Sequence, residues 1–324
     1  MRKISTFSIL CVSSLLLLGL NAYAEDNSWK GAFQPLPDSA PSAEHPSSQA
    51  KVTLGKSLYM DTRLSKNDKL SCNSCHNINT FGVDNEPTSP GHEGKRGGRN
   101  SPSSFNAALH VAQFWDGRAK DVEAQALGPI LNPIEMGMES EAAVVAKLKK
   151  DPKTVAAFKE AFPGEKDPLT YHNIGEAIGA FERTLITPSR FDAFLKGDDA
   201  ALTDAEKAGG KLFVQTGCTA CHMGATLGGQ IYQKLGLVKE YPTEDLGRFE
   251  VTKNEADKKF FKVPSLRNVA KTGPYFHDGS VKTLEEAVSK MAEYQLGKNL
   301  SQDEVASLVA FLNSLTGTVP AHAK

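Results

Sequence analysis

The chain has 324 residues, enough for about two domains. Its 37 Lys+Arg balance 38 Asp+Glu for a net charge of −1, and 40% of residues are hydrophobic against 23% charged. That composition excludes a disordered chain, a coiled coil and a collagen. It also leaves no basic surplus with which to bind nucleic acid by displacing counterions.

Residues 1–24 read as a secretory signal peptide. Arg2 and Lys3 form the basic start, Ile9 to Leu20 the apolar core, and Ala22-Tyr23-Ala24 the cleavage site. The apolar run is shorter than the roughly 20 residues that cross a bilayer. No other stretch is long and apolar enough to span a membrane. The expectation is a soluble, exported protein in a bacterial periplasm. Of the five cysteines, Cys11 lies in this segment, which leaves Cys72, Cys75, Cys218 and Cys221.

Those four form Cys72-Asn73-Ser74-Cys75-His76 and Cys218-Thr219-Ala220-Cys221-His222. CxxCH is the attachment signature of c-type haem. Two thiols add to the two vinyl groups, and the adjacent His reaches the iron from one face. A redox-active CxxC needs a strand–helix–strand setting, which neither site has. Disulfides or a four-Cys zinc site would leave the repeated CxxCH unexplained.

The chain reads as a duplicated unit. Gly55-x-x-Leu58-Tyr59 precedes the first CxxCH, and Gly209-x-x-Leu212-Phe213 precedes the second. Ser101-Pro102-Ser103 to Ala108 matches Val263-Pro264-Ser265 to Ala270 at an offset of 162 residues. The same offset pairs Phe114-Trp115-Asp116-Gly117 with Phe276-His277-Asp278-Gly279. Ile174 to Leu185 has helical periodicity and ends before Pro188, so 172–187 is expected as an interdomain helix. Lys196 to Asp199 is the expected linker, and Thr203 the N-cap of the next helix. A mainly α fold follows: two cytochrome c-like haem domains, long loops and little strand. The expected domains are 25–195 and 196–324, the C-terminal tail packing back on the first.

The copies differ where a sixth iron ligand would come from. Met291, in a helical segment from Glu285 to Leu296, is the natural axial ligand for the second iron, opposite His222. At the 162 offset Met291 maps to Pro129, so the first copy lacks a Met there. Met136 and Met138 are nearby alternatives in a segment broken by Pro and Gly. The first copy offers His92 on the glycine-rich loop 90–98, free to bind or leave. His110, on an expected helix from Ala107 to Ala112, is the rival. Glu135 sits in the expected loop 128–137, a place from which a carboxylate can do acid–base work over an iron face.

These motifs resemble the bacterial dihaem cytochrome c peroxidase family, which also contains MauG-like enzymes. The matching stretches are CNSCHN at Cys72, the loop at His92, FWDGRA at Trp115 and GPILNPIEM at Glu135. AFERTLITPSRFD from Ala180, GCTACH at Cys218 and TGPYFHDGS at His277 complete the set, which covers essentially the whole chain after residue 24. The resemblance implies two covalent haems c and reduction of hydrogen peroxide to water. Electrons would come from a monohaem cytochrome c or a small copper protein. They would enter at the His222/Met291 haem and be used at the His76 haem, which His92 caps at rest. It implies Glu135 as the acid–base residue, Gln125 as its polar partner, Trp115 as the aromatic between the haems and His277 as a cofactor contact. It also implies a calcium ion on the Asn100 side chain and the Thr272 and Pro274 carbonyls, and a homodimer. Relatives with a Tyr ligand modify a protein substrate instead. Tyr294 lies within one helical turn of Met291. A dihaem electron carrier is the non-enzymatic alternative.

Overall fold

The structure is a computed structural model and describes residues 28–324. The expected signal peptide lies outside the described residues. The fold is mainly helical. The α-helices are α1 (Gln49–Tyr59), α2 (Cys72–Cys75), α3 (Val122–Leu131), α4 (Glu141–Leu148), α5 (Pro152–Ala161), α6 (Tyr171–Glu182), α7 (Arg190–Leu195), α8 (Asp204–Thr216), α9 (Phe249–Thr252), α10 (Leu284–Leu296) and α11 (Gln302–Ser314). Among the described residues, strand is confined to an antiparallel pair, β1 (Tyr232–Lys234) and β2 (Phe260–Lys262), with Gln233 opposite Phe261. No helix among the described residues is long and apolar enough to cross a membrane.

Each copy is built on two helices pressed together at a glycine. In the first, a Cβ on Gly55 would lie 1.8 Å from the Ala177 carbonyl oxygen, so α1 meets the backbone of α6 directly. In the second, a Cβ on Gly209 would lie 2.0 Å from the Ser307 carbonyl oxygen, and α8 meets α11 in the same way. Tyr59 then packs on Phe181, and Phe213 on Phe311, each with ring centroids 5.3 Å apart. Thus α6 is the first copy's counterpart of α11 and a core helix of the first domain, not a connector between domains. It also stops short of Leu185. The Thr184 hydroxyl donates to the Phe181 carbonyl, and the chain turns away.

Two other expectations change. Gly128 to Leu131 belongs to α3, with Pro129 inside its last turn. Ile130 there is fully buried, and that burial outweighs the proline's lost hydrogen bond so close to the helix end. The helix expected from Ala107 to Ala112 is a single 3₁₀ turn, Ala107–Leu109, after Asn106 in left-handed geometry. Thr203 does cap α8. Its hydroxyl accepts from Glu206 N–H, and the Glu206 carboxylate accepts from Thr203 N–H.

The cores do not divide at residue 195. Phe191 and Phe194 of α7 pack with Trp29, Phe33, Phe213 and Phe311 in the second core. Arg267 anchors the same segment by a two-pronged pair to Asp192, both side chains almost fully buried. Large aromatic side chains carry more burial free energy than a short polar linker can oppose. The first core gathers α1, α3 to α6 and Ala323 of the C-terminal tail.

The two copies meet at Thr187. Its hydroxyl accepts hydrogen bonds from the Asn106 and Asn268 amides at 2.8 and 2.9 Å. These asparagines are equivalent at the 162 offset, are fully buried, and have φ of 60° and 63°, which Asn tolerates. Replacing Thr187 with Val orphans two buried donors, a loss of about 2–4 kcal/mol. Urea unfolding of the holoprotein checks this, and Thr187→Ser should retain most of the stability.

Candidate haem sites

Each CxxCH opens onto one cavity. Cys72, Cys75 and His76 lie in the wall of the first, and Cys218, Cys221 and His222 in the wall of the second. All four thiols are unpaired. Burial pushes them up, Cys218 to about 11, so without a bound group they are protonated thiols.

The two histidines are held alike. His76 Nδ1 is 2.9 Å from the Pro102 carbonyl oxygen, and His222 Nδ1 is 3.0 Å from the Leu227 carbonyl oxygen. A carbonyl can only accept, so each Nδ1 carries the proton and each Nε2 keeps a free lone pair. Burial lowers both pKa values and keeps both rings neutral. Unpaired thiols, a neutral imidazole with a free Nε2 and a mostly apolar wall fit a haem c in each cavity. Tyr59 adds a hydrogen bond to the first, donating to the His76 carbonyl at 2.6 Å.

The opposite walls differ. Met291, from α10, lines the second cavity. The equivalent helix α3 presents Pro129 to the first. Tyr294 is absent from the second cavity's wall and packs on Tyr241, centroids 5.0 Å apart. Glu135, Gln125 and Met136 line the first cavity, whereas Met138 does not. Burial raises the Glu135 pKa, and Arg118 opposes the shift. Arg118 also lines this cavity, its guanidinium 3.4 Å from the Phe114 ring centroid.

His92 does not line the first cavity. It is buried against Gly137, whose φ is +72° and where a Cβ would stand 2.9 Å from the imidazole. Its backbone N–H donates to the Ile134 and Glu135 carbonyls at 3.0 and 2.7 Å, and its Nδ1 is buried without a partner. His110 faces neither CxxCH cavity. It packs on Gly229 and lines a third cavity at the seam between the copies.

That seam is reciprocal. Asn100 N–H donates to the His277 carbonyl at 2.7 Å, and Lys262 N–H donates to the Trp115 carbonyl at 2.8 Å. Asn100 pairs with Lys262, and Trp115 with His277, at the same 162 offset. Trp115 lies in the walls of all three cavities, and its indole N–H donates to the Asn100 carbonyl at 2.9 Å. His277 lines the second cavity, tilted on Phe261 with centroids 4.5 Å apart, its Nε2 3.1 Å from the Thr243 hydroxyl. Asn100, Thr272 and Pro274 all line the seam cavity. The Asn100 amide donates to the Glu86 and Pro87 carbonyls, which leaves its oxygen free to act as a ligand.

Three residues that sequence reasoning passed over also matter. Tyr59 was visible only as an aromatic of the repeat. Glu182 lines the first cavity, is 6% exposed, and has its pKa pushed up to about 8, chiefly by burial. Lys262 stands immediately before the repeated Val-Pro-Ser, where the first copy has Asn100.

Two helical domains, each with a CxxCH on a cavity and an aromatic shared between them, define a dihaem c-type cytochrome. The model of the family described as di-haem cytochrome c peroxidase matches residues 49–200, and that of cytochrome c matches 206–316. The cytochrome c551 peroxidase of Pseudomonas aeruginosa is 49% identical over 89% of this chain and 85% of its own. That of Nitrosomonas europaea is 46% identical over 95% and 91%. A methylamine utilization protein MauG from Methylorubrum extorquens is 35% identical over 86% and 82%. Among solved structures, a MauG-like protein associated with microbial copper homeostasis has a TM-score of 0.78 at 32% identity, over 87% of this chain and 93% of that one. The chain belongs to the di-haem cytochrome c peroxidase family, an oxidoreductase family whose members carry two haems c.

A Cys218→Ala, Cys221→Ala double variant should therefore hold half the covalent haem of the parent. A pyridine haemochrome assay per mole of chain measures this.

Proposed function

We propose that this protein reduces hydrogen peroxide to water with electrons from a small redox protein, a monohaem cytochrome c or a small copper protein. The difference between the two cavities carries this reading. Met291 stands in the second where the first has Pro129, and a buried acid, Glu135, stands in the wall of the first. Cys218, Cys221, His222 and Met291 would hold the haem that accepts the donor's electrons. Cys72, Cys75 and His76 would hold a haem with room for peroxide. Bound haem iron supplies the redox chemistry of O–O cleavage.

The protein's own groups manage the protons and the path. Ionised Glu135 takes the proton from the near oxygen of peroxide and returns it to the leaving oxygen. Gln125 orients the peroxide by hydrogen bonding, and Arg118 favours the ionised carboxylate. Trp115, in the wall of both haem cavities, is the electron relay. Two electrons and two protons convert one peroxide to two waters. His92 is proposed as a resting cap that joins the first site only after loop 90–98 has moved. A calcium ion on Asn100, Thr272 and Pro274 would tie the copies together through neutral oxygens. The two haem domains, export to the periplasm and a homodimer complete the proposal.

The MauG-like reading, oxidation of a protein side chain, draws on the relatives of that name. The position of Met291 in the cavity wall and of Tyr294 outside it favours the peroxidase.

A stopped-flow assay of the half-reduced protein with peroxide and a reduced cytochrome c should show rapid turnover. No peroxide consumption in that form overturns the proposal. Glu135→Gln should lower kcat by about 10²–10⁴-fold. Because the base must be ionised and its pKa is raised, the parent's rate should fall with acid around a midpoint above the ordinary glutamate value of 4.5. Glu135→Gln should abolish that limb.

A further inference from the structure

Lys262 is a buried lysine without a counter-ion. It is 6% exposed, and no hydrogen bond or ion pair to its ammonium exists among the described residues. It lines both the second haem cavity and the seam cavity. Neither cavity has an aspartate or glutamate in its wall. The other cation of the seam, Arg267, is already neutralised by Asp192 at 2.7 and 2.9 Å. His110 is no substitute acceptor of charge, since burial and the neighbouring Lys262 keep it neutral.

An isolated ammonium in such surroundings is strongly unfavourable. Burial alone lowers its pKa to about 8. The equivalent position of the first copy meets the same backbone constraint with Asn100, a neutral amide. The ladder bond to Trp115 needs only a backbone N–H, so packing at this position does not call for a charge. A charge kept there needs an anion from outside the polypeptide.

A haem carries carboxylate side chains, and the second cavity fits a haem. We propose that the Lys262 ammonium binds a carboxylate of the haem held by Cys218 and Cys221, and by its charge raises that haem's reduction potential. The sign follows from electrostatics. Reduction lowers the net charge of the iron, and a fixed positive charge nearby favours the electron-rich form. The inference needs only the haem content and not the peroxidase reading.

Spectroelectrochemical titration of the holoprotein tests it. Lys262→Asn, which installs the first copy's side chain at the equivalent place, and Lys262→Met should both shift the second haem's midpoint potential downward. The first haem should move less. Lys262→Arg, which keeps the charge, should restore most of the parent potential. The carboxylate bending band in resonance Raman spectra should shift in all three variants, because the donor changes. Unchanged potentials in both neutral variants overturn the inference, as does a shift in Lys262→Arg as large as theirs. Should the neutral variants fail to mature, a Raman band in Lys262→Arg identical to the parent's overturns it alone. A parent that consumes no peroxide while the variants still show the potential shift would count against the peroxidase reading and leave this one standing.

Discussion

The close approach of two helices, made possible by a missing side chain, is the constraint on which each copy rests. At Gly55 and Gly209 a methyl group would overlap a carbonyl oxygen of the facing helix. Neither helix can absorb that overlap without moving as a body. The contact sets where the aromatic four residues further on, Tyr59 or Phe213, meets the facing helix. In the first copy that ring is Tyr59, whose hydroxyl holds the carbonyl of His76. In the second it is Phe213, which packs edge-on to His222 with centroids 6.4 Å apart. The same helix contact thus stands behind both histidines, and Tyr59 adds a hydrogen bond that Phe213 cannot make.

The two copies are joined by paired hydrogen bonds, some of the backbone and some of buried side chains. Asn100 and Lys262 reach across to His277 and Trp115 through the same pair of hydrogen bonds, and Asn106 and Asn268 share the hydroxyl of Thr187. Such pairings are those of a symmetric dimer folded into one chain. They keep the backbone frame equal on both sides while leaving the side chains free to diverge. Met291 against Pro129, Lys262 against Asn100 and His277 against Trp115 are the products of that freedom. Each difference lies at a cavity wall, where it alters chemistry without disturbing the frame.

Much of this was legible in the sequence. The CxxCH pairs, the 162 offset, the Thr203 cap and the α10 helix need only local chemistry or a repeat in fixed register. The pairing of α6 with α11 escaped because loops of unequal length put it out of that register, at 130 residues instead of 162. The placing of α7, Trp29 and Phe33 in the second core escaped because chain order says nothing about which of two cores an aromatic will join. Glu135 was found in the first cavity's wall, as were Gln125 and Trp115. His92 was not, because whether a loop histidine points in or out depends on contacts with Gly137 and Ile134 that no spacing encodes. Lys262 carried no sequence signal beyond its place before the repeat. A lysine is ordinary on a surface and becomes informative only once it is seen buried without an anion.

The two hydrogen bonds from His92 N–H to the Ile134 and Glu135 carbonyls make the glycine-rich loop and the acid-bearing turn one moving part. The loop that carries His92 and the turn that carries Glu135 are therefore joined at one backbone N–H, and neither segment can shift far without releasing the other.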